Sequence, residues 1–172
     1  TTNLALVGGV VLNVTSDHMD RYDGMQAYAD AKARIFDHAA TAVLNIDDPL
    51  VAAMRRAGQR TITYSIERGE ADFTLSRGSA GPVLTCRGEP WLETRRLKIS
   101  GLHNASNALA ALALGEAAGL SRAGMLEALQ QFPGLPHRSQ WVAEIGGVTF
   151  VNDSKGTNVG ATIAAVAGST TP

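Results

Sequence analysis

The apolar run LALVGGVVL, residues 4–12, continues into Asn13 and Val14. It is too short to span a bilayer, and it lacks the basic start of a signal peptide. Between Val10 and Val14 the sequence is apolar and β-branched without alternation, which is typical of a strand covered on both faces in a parallel sheet. The sequence therefore predicts a buried first strand at this position.

A helix is predicted directly after this strand, from Asp23 to His38. Lys32 lies seven residues after Met25, on the same face as the apolar residues of this segment, so a cation is predicted to point toward the core. Burying an unpaired ammonium costs several kcal/mol, so such a site needs a partner anion or a neutral lysine. The alternative is a lysine that buries only its stem and keeps its head group in water.

Two more strand patterns follow, at Ala42–Ile46 and Thr61–Ser65, with a short helical stretch from Pro49 between them. The order strand, helix, strand, helix, strand predicts an α/β fold with a doubly wound, mostly parallel sheet. From Asp72 to Lys98 the pattern changes to short alternating runs around glycines. This change predicts antiparallel strands at one edge of the sheet.

Two helices and a linker are predicted next. The first covers residues 104–118, with Asn104 as its N-cap and Gly119 as its stop, and the second follows Ser121 and ends at Pro133. Two prolines and a glycine in residues 133–136 cannot continue a helix, so we predict a domain boundary there.

The boundary divides the chain into residues 1–136 and residues 137–172. The second part contains a predicted hairpin through Gly146 and Gly147 and a small-residue helix from Asn158 onward. It is too short to bury a stable core by itself, so this domain is expected to be cut off.

Composition excludes several classes of protein. Fifteen basic and sixteen acidic residues give a net charge of -1 in 172 residues, so no overall charge attracts the chain to nucleic acid or to an anionic membrane. A single cysteine, Cys86, rules out an internal disulfide framework and favours a cytoplasmic location.

Two polar clusters are candidate ligand sites. His18 lies in the polar segment after the first strand, where a neutral imidazole could ligate a metal or bind substrate, although a simple loop residue is the alternative. Asn104 and Asn107 are three residues apart at a helix start, so their carboxamides could pair with the edge of a base such as adenine. The alternative is capping by Asn104 with Asn107 solvated.

A third cluster, residues 152–158, has the sequence NDSKGTN at a predicted transition from strand to helix. Backbone N–H groups, hydroxyls and Lys155 there suit an anion, although the spacing is not that of a Walker A loop, which occurs nowhere in the chain. Arg138, at the hinge just after the linker, could reach a phosphate bound between the two parts of the chain.

Taken together, these motifs resemble the Mur ligase superfamily. The order of the motifs is more specific than any one of them, and the resemblance covers nearly the whole chain. Residues 152–158 resemble the version found in members that add D-glutamate, apart from Gly156, where many relatives have alanine. The motifs are Leu12–Val14, Asp17–Tyr22, Ala31 with Lys32, Gly101 with His103 and Asn104, Asn107–Ala111, Leu135–Arg138, Asn152–Lys155, and Thr157 with Asn158.

The resemblance implies an ATP-dependent ligase of peptidoglycan synthesis that joins D-glutamate to UDP-N-acetylmuramoyl-L-alanine through an acyl phosphate, with ATP and magnesium and as a monomer. It implies that residues 1–136 are the later part of a central ATP-binding domain and that residues 137–172 begin a Rossmann-like C-terminal domain. Because the phosphate-binding loop and most of the outer domains are not in this sequence, the chain alone is expected to be inactive.

The resemblance also implies roles for single residues. A carbamate on Lys32 would replace its positive charge with a negative one, which requires that its amine first lose its proton. His18 would bind magnesium and substrate, and carbamylated Lys32 would support the second metal. Asn104 and Asn107 would contact adenine, Arg138 the terminal phosphate and Asp153 the ribose, while Lys155 and Thr157 would lie near phosphate and D-glutamate. The implied catalytic residues are Lys32, His18 and Lys155.

Two alternatives remain open. A folate-type polyglutamate ligase shares the architecture and the acyl-phosphate chemistry, but residues 17–22 and 152–158 argue against it. A nucleotide-binding module without catalysis would have no need of Lys32, Arg138, Asp153 and Lys155 together.

Overall fold

The computed structural model describes residues 5–16, 19–156 and 162–163. Within these ranges the chain forms a six-stranded sheet covered by helices, followed by a two-stranded hairpin. In chain order the elements are β1 (Leu6–Val11), α1 (Met25–Ala33), β2 (Ala39–Asn45), α2 (Pro49–Ala52), β3 (Arg60–Ser65), β4 (Phe73–Gly78), β5 (Gly81–Cys86), β6 (Glu89–Glu93), α3 (Leu102–Ala117), α4 (Arg122–Gln131), β7 (Gln140–Ile145) and β8 (Val148–Asn152).

The six strands of the sheet lie side by side in chain order. Strands β1 to β4 pair in parallel, and β4 to β6 form an antiparallel meander. The predicted α/β fold, its mostly parallel sheet and its antiparallel edge are therefore confirmed. The ladder between β1 and β2 ends with Val11 opposite Leu44, so Leu12 and the residues after it leave the sheet at its carboxyl edge.

Helices cover both faces of the sheet, and β2 contributes to both cores because successive side chains of a strand point to opposite faces. Val43 belongs to the core formed with α3, where Leu109 and Leu112 are also buried. Leu44 belongs to the other core, which contains Phe36 from the 3-10 turn after α1. Each large apolar side chain buried in this way contributes roughly 1.5–3 kcal/mol.

Strand β1 differs from its prediction in two respects. It runs over Leu6–Val11 rather than residues 10–14, and it lies at the edge of the sheet that the structure describes, with Val7 60% exposed rather than covered. The apolar pattern continues past the last ladder pair because Val14 is buried outside the sheet. The prediction extended the strand to Val14 because a buried apolar residue looks the same in the sequence whether or not it pairs in a sheet.

Helix α3 begins two residues earlier than predicted, so the prediction that Asn104 is its N-cap is wrong. Gly101 occupies that position with φ 92°, and the backbone N–H of Asn104 already donates to the Gly101 carbonyl over 3.1 Å. The predicted stop is confirmed, since Gly119 has φ 72° and its N–H donates to the carbonyl of Glu116 over 3.0 Å.

Helix α1 is shorter than the predicted 23–38, because a 3-10 turn over Arg34–His38 completes that segment. Helix α4 starts as predicted at Ser121, whose hydroxyl accepts the N–H of Gly124, and ends before Pro133.

The hairpin predicted through Gly146 and Gly147 is confirmed. Both glycines have positive φ, 60° and 80°, as a two-residue turn between twisted strands requires. The domain boundary at residue 136 stays a prediction, and the helix predicted from Asn158 begins outside the described residues. Among the residues that are described, no helix has both the length and the apolar character needed to cross a bilayer.

Candidate functional site

A cleft of about 330 Å³ lies where three parts of the chain meet: the carboxyl ends of β1 and β2, the first turns of α3, and the segment from the linker to the end of β8. Its volume is within the range of small-molecule sites. The cleft brings together five of the predicted site residues, and its lining consists of Leu12, Asn13, Asn45, His103, Asn104, Ser106, Asn107, Arg138, Ser139, Asp153, Lys155 and Gly156.

Helix α3 presents its carboxamides to this cleft. The Asn104 amide nitrogen donates to the Ser100 carbonyl over 2.8 Å, which fixes that side chain against the loop before the helix. The Asn107 amide nitrogen lies 3.4 Å from the Asn104 amide oxygen, and the Asn107 side chain is exposed. The Asn107 carboxamide thus retains its acceptor oxygen and one N–H, which can pair with the polar edge of a ligand.

His103, beside Asn104, carries a buried Nδ1 that has no hydrogen-bond partner among the described residues. Buried polar atoms are normally satisfied, so an orphan at the wall of a cleft indicates a place for a ligand or a water. Burial raises the pKa of the Tyr64 phenol, the nearby Asp47 charge raises it further, and a hydrogen bond with the cleft residue Ser106 opposes the shift. The Tyr64 phenol therefore stays protonated.

The opposite wall is joined to the linker by hydrogen bonds. The Asp153 Oδ1 accepts the Ser139 N–H over 2.8 Å, and the Lys155 N–H donates to the His137 carbonyl over 3.1 Å. The Asn152 amide nitrogen also lies 3.0 Å from His137 Nδ1. These bonds join residues 137–139, just after the linker, to residues 152–155 at and after the end of β8, so the two segments form one wall.

Arg138 lies between two non-glycine residues in the left-handed region, His137 with φ 64° and Ser139 with φ 43°. Such residues store strain of roughly 1–3 kcal/mol each and are common at ligand sites. Neither Arg138 nor Lys155 forms an ion pair with a carboxylate in the part of the chain that the structure describes. Two cations in one cleft, with no carboxylate partner among the described residues, provide a favourable environment for a polyanion.

Lys32 does not line this cleft, and its side chain is half-buried rather than directed into the core as predicted. Its ammonium lies 4.8 Å from the centre of the Tyr28 ring, a cation–π distance. The neighbouring Ala29 and Phe36 are the residues of this segment that are buried. Helical spacing thus identified the face of the segment that packs on the core, but Lys32 is only half-buried there.

Two predicted residues, His18 and Thr157, lie outside the described residues. No three His, Cys, Asp or Glu side chains in the described ranges form a cluster that could hold a metal ion.

The model of the Mur ligase middle domain matches residues 3–115, which take in β1 and most of α3. The chain belongs to the Mur ligase family.

Curated Mur ligases resemble the chain over nearly its whole length. It is 51% identical over 159 residues to the UDP-N-acetylmuramoylalanine--D-glutamate ligase of Methylococcus capsulatus, which covers 92% of this chain and 35% of that protein. It is 50% identical over 169 residues to the ligase of the same name from Nitrosococcus oceani, covering 98% of this chain and 37% of that protein. The chain thus spans a little over a third of these relatives.

Solved structures show the same fold. MurF from Acinetobacter baumannii matches with a TM-score of 0.72 and 20% identity, covering 92% of this chain and 36% of that one. A pseudomurein peptide ligase type C from Methanothermus fervidus matches with a TM-score of 0.75 and 21% identity, covering 98% and 42%.

Several lining residues of this Mur ligase cleft were not among the predicted site residues. Asn45 is the polar residue near the end of the predicted strand Ala42–Ile46, and a polar residue near the carboxyl end of an apolar strand is a recognisable signal. His103 stood in a quoted motif without a role. Ser106 and Ser139 carried no signal in the sequence, because only the fold brings α3 and the linker to the same cleft.

Proposed function

We propose that the protein is an ATP-dependent ligase that joins D-glutamate to UDP-N-acetylmuramoyl-L-alanine in peptidoglycan synthesis, and that this chain supplies the nucleotide-binding cleft. The observation that carries the proposal is the convergence of Asn104, Asn107, Arg138, Asp153 and Lys155 on one cleft of about 330 Å³. Relatives named for this reaction are about half identical over nearly the whole chain, which supports the choice of D-glutamate.

The cleft has the polar groups that ATP requires. Asn104 and Asn107 offer carboxamide edges to the base, and the Asp153 Oδ2 is available to a ribose hydroxyl while Oδ1 holds Ser139. Arg138 and Lys155, both exposed, offer positive charge to the phosphates. Asn107 and Asp153 each keep hydrogen-bonding atoms that are not used within the described residues. These unused atoms support a role in binding a ligand rather than a purely structural one.

The reaction proposed has two steps. A carboxylate oxygen of the muramoyl-alanine attacks the terminal phosphorus of ATP, forming an acyl phosphate and releasing ADP. The amine of D-glutamate then attacks the acyl carbon, an amide bond forms, and inorganic phosphate leaves. Arg138 and Lys155 would stabilise the charge that develops on the transferred phosphate.

We assign magnesium to His18 and to a carbamylated Lys32 on the family resemblance. A divalent cation bound there would offset the negative charge of the phosphates. We further propose a monomeric protein of the cytoplasm.

The test is a phosphate-release assay on the full-length enzyme with each substrate omitted in turn. Release that needs ATP, UDP-N-acetylmuramoyl-L-alanine and D-glutamate together is the expected result. A preference for L-alanine, L-lysine or diaminopimelate would contradict the D-glutamate assignment. Release with a folate and glutamate would favour the polyglutamate ligase, and nucleotide binding without release would favour the non-catalytic module.

A further inference from the structure

The carboxyl end of β2 carries three polar side chains, Asn45, Asp47 and Asp48, to which the proposed reaction gives no role. Asn45 is the last residue of β2 and is only 9% exposed. Asp48 is the N-cap of α2, and Asp47 precedes it. Each of the three is hydrogen-bonded to the backbone of a neighbouring segment.

Two of these side chains hold the segment that leaves β1. The Asn45 amide nitrogen donates to the Leu12 carbonyl over 2.9 Å, and the Asp48 Oδ2 accepts the Val14 N–H over 2.7 Å. The strand ladder has already ended at Val11. Side chains from β2 and its loop therefore replace the missing ladder bonds and fix the path of the backbone over three residues.

Asp48 uses its two carboxylate oxygens for two different purposes. Oδ1 caps α2 by accepting the N–H groups of Leu50 and Val51, over 2.9 and 3.2 Å, while Oδ2 binds Val14. Hydrogen bonds to an ionised carboxylate are roughly twice as strong as neutral ones. One side chain thus couples the start of α2 to the exit of β1.

The held segment forms part of the wall of the cleft. Leu12 and Asn13 line it together with Asn45, and Asn104 and Asn107 also line it from α3. A shift of this segment would change the shape of the cleft without removing any of the residues assigned to ATP. The same segment leads, four residues after Val14, to His18.

We infer that Asn45 and Asp48 are positioning residues that fix Leu12–Val14 as one wall of the nucleotide cleft. The inference rests on the proposed function only in treating the occupant of the cleft as a nucleotide. The hydrogen bonds themselves are independent of that choice.

Asp47 provides a matched control on the same loop. Its Oδ1 pairs with the Ser65 hydroxyl and its Oδ2 accepts the Ile66 N–H over 2.8 Å, so it fixes the exit of β3. Neither Ser65 nor Ile66 lines the cleft. A substitution at Asp47 therefore removes comparable hydrogen bonds and tests for general destabilisation.

The experiment compares Asp48→Ser with Asp47→Ser in the full-length protein. A serine hydroxyl can still cap α2 but is too short to reach Val14, so Asp48→Ser removes one of the two functions. We expect the Val14 amide to exchange about tenfold faster while the Leu50 amide changes little, since a charged hydrogen bond is lost at only one of them. A nonhydrolysable ATP analogue should bind about fivefold to tenfold more weakly, with KM for ATP rising more than kcat falls.

Asp47→Ser should leave the affinity for the analogue within about twofold of wild type, because its partners lie away from the cleft. Equal weakening in the two variants, with equal loss of melting temperature, would overturn the inference, as would unchanged exchange of the Val14 amide. If Asp48→Ser does not fold, Asp48→Asn decides, since it keeps the side-chain shape but can offer only one acceptor oxygen to two sets of donors. A wild-type protein that binds no analogue would contradict the proposed function, whereas amide exchange would still test the contact.

Discussion

The sheet region, residues 5–132, and the hairpin region, residues 137–156, form opposite walls of one cleft but are stabilised in different ways. In the sheet region, side chains such as Phe73, Leu84 and Leu109 have no exposed surface. In the hairpin region, no apolar side chain of the described residues is buried, and Trp141 is 63% exposed. The first wall is fixed by hydrophobic burial together with the hydrogen bonds of Asn45 and Asp48, whereas the second, among the described residues, is fixed by hydrogen bonds alone.

The difference matters for binding because the two walls respond differently to a ligand. A net hydrogen bond contributes about 1 kcal/mol, and an isolated two-stranded hairpin is only marginally stable in water. The wall that carries Arg138, Asp153 and Lys155 is therefore the more adjustable one. The wall that carries Asn104 and Asn107 belongs to α3, which is packed into the main core.

The largest expected effect tests this contrast through stability. Leu84→Ala should lower the free energy of unfolding of the 172-residue chain by about 2–5 kcal/mol, because it leaves a cavity at a fully buried position. Val148→Ala, at a position that is 57% exposed, should cost less than about 0.5 kcal/mol. Denaturant unfolding of both variants measures the two values. Similar losses would mean that the hairpin is packed as firmly as the sheet, and the contrast would fail.

The next effect concerns Lys32, which belongs to the sheet region but does not line the cleft. If its carbamate supports a metal, Lys32→Ala in the full-length enzyme should lower turnover about a hundredfold, as loss of a metal-supporting group does. Acetate should then partly restore the rate, because it returns the missing anion. The measurement is phosphate release with and without acetate. Near-normal turnover that does not respond to acetate would show that Lys32 is only a surface lysine stacked on Tyr28.

A somewhat smaller effect is expected at Arg138 on the hairpin side. Arg138→Ala should raise KM for ATP or lower kcat by about tenfold to a hundredfold, since a charged hydrogen bond to phosphate is worth roughly 1.5–3 kcal/mol. Arg138→Lys should recover only part of this loss, because an ammonium cannot bind phosphate bidentately. Arg77→Ala, an exposed arginine of the sheet region, is the control and should change neither constant. An equal effect at Arg77 would point to general electrostatics instead.

The sheet region was predictable from the sequence because its patterns are local. Strands β2 and β3, the glycine stop of α3 and the serine cap of α4 each follow from a few adjacent residues. One error arose where a tertiary contact overrides the local pattern, and another where a neighbouring residue took the predicted cap position. Val14 is buried beyond the end of β1, and the loop glycine Gly101 rather than Asn104 caps α3.

The site was predictable in part, and for a different reason. Five of the residues lining the cleft were assigned from motifs, but the motifs alone gave no distances between α3 and the linker. The hydrogen bonds of Asn45 to Leu12 and of Asp48 to Val14 each span more than thirty positions, so no spacing in the sequence reveals these two contacts. Helical spacing predicted that Lys32 points toward the core, whereas its side chain is half-buried and its ammonium lies over the Tyr28 ring.

The smallest effect is expected at Gly156, in the hairpin wall. A Cβ added there would lie 2.8 Å from the Asp153 Oδ2 and 3.2 Å from the Asp153 carbonyl oxygen, so the carboxylate has to turn. Because Asp153 Oδ1 also holds the Ser139 N–H, the turn would loosen the linker beside Arg138. Gly156→Ala in the full-length protein should therefore weaken binding of a nonhydrolysable ATP analogue by about twofold to fivefold, which is less than the loss of a whole hydrogen bond. The same substitution in an Asp153→Ala background should have no further effect, since the carboxylate that it displaces is gone. Equal weakening in both backgrounds would show that Gly156 acts on the ligand directly and that the hairpin wall does not depend on the orientation of Asp153.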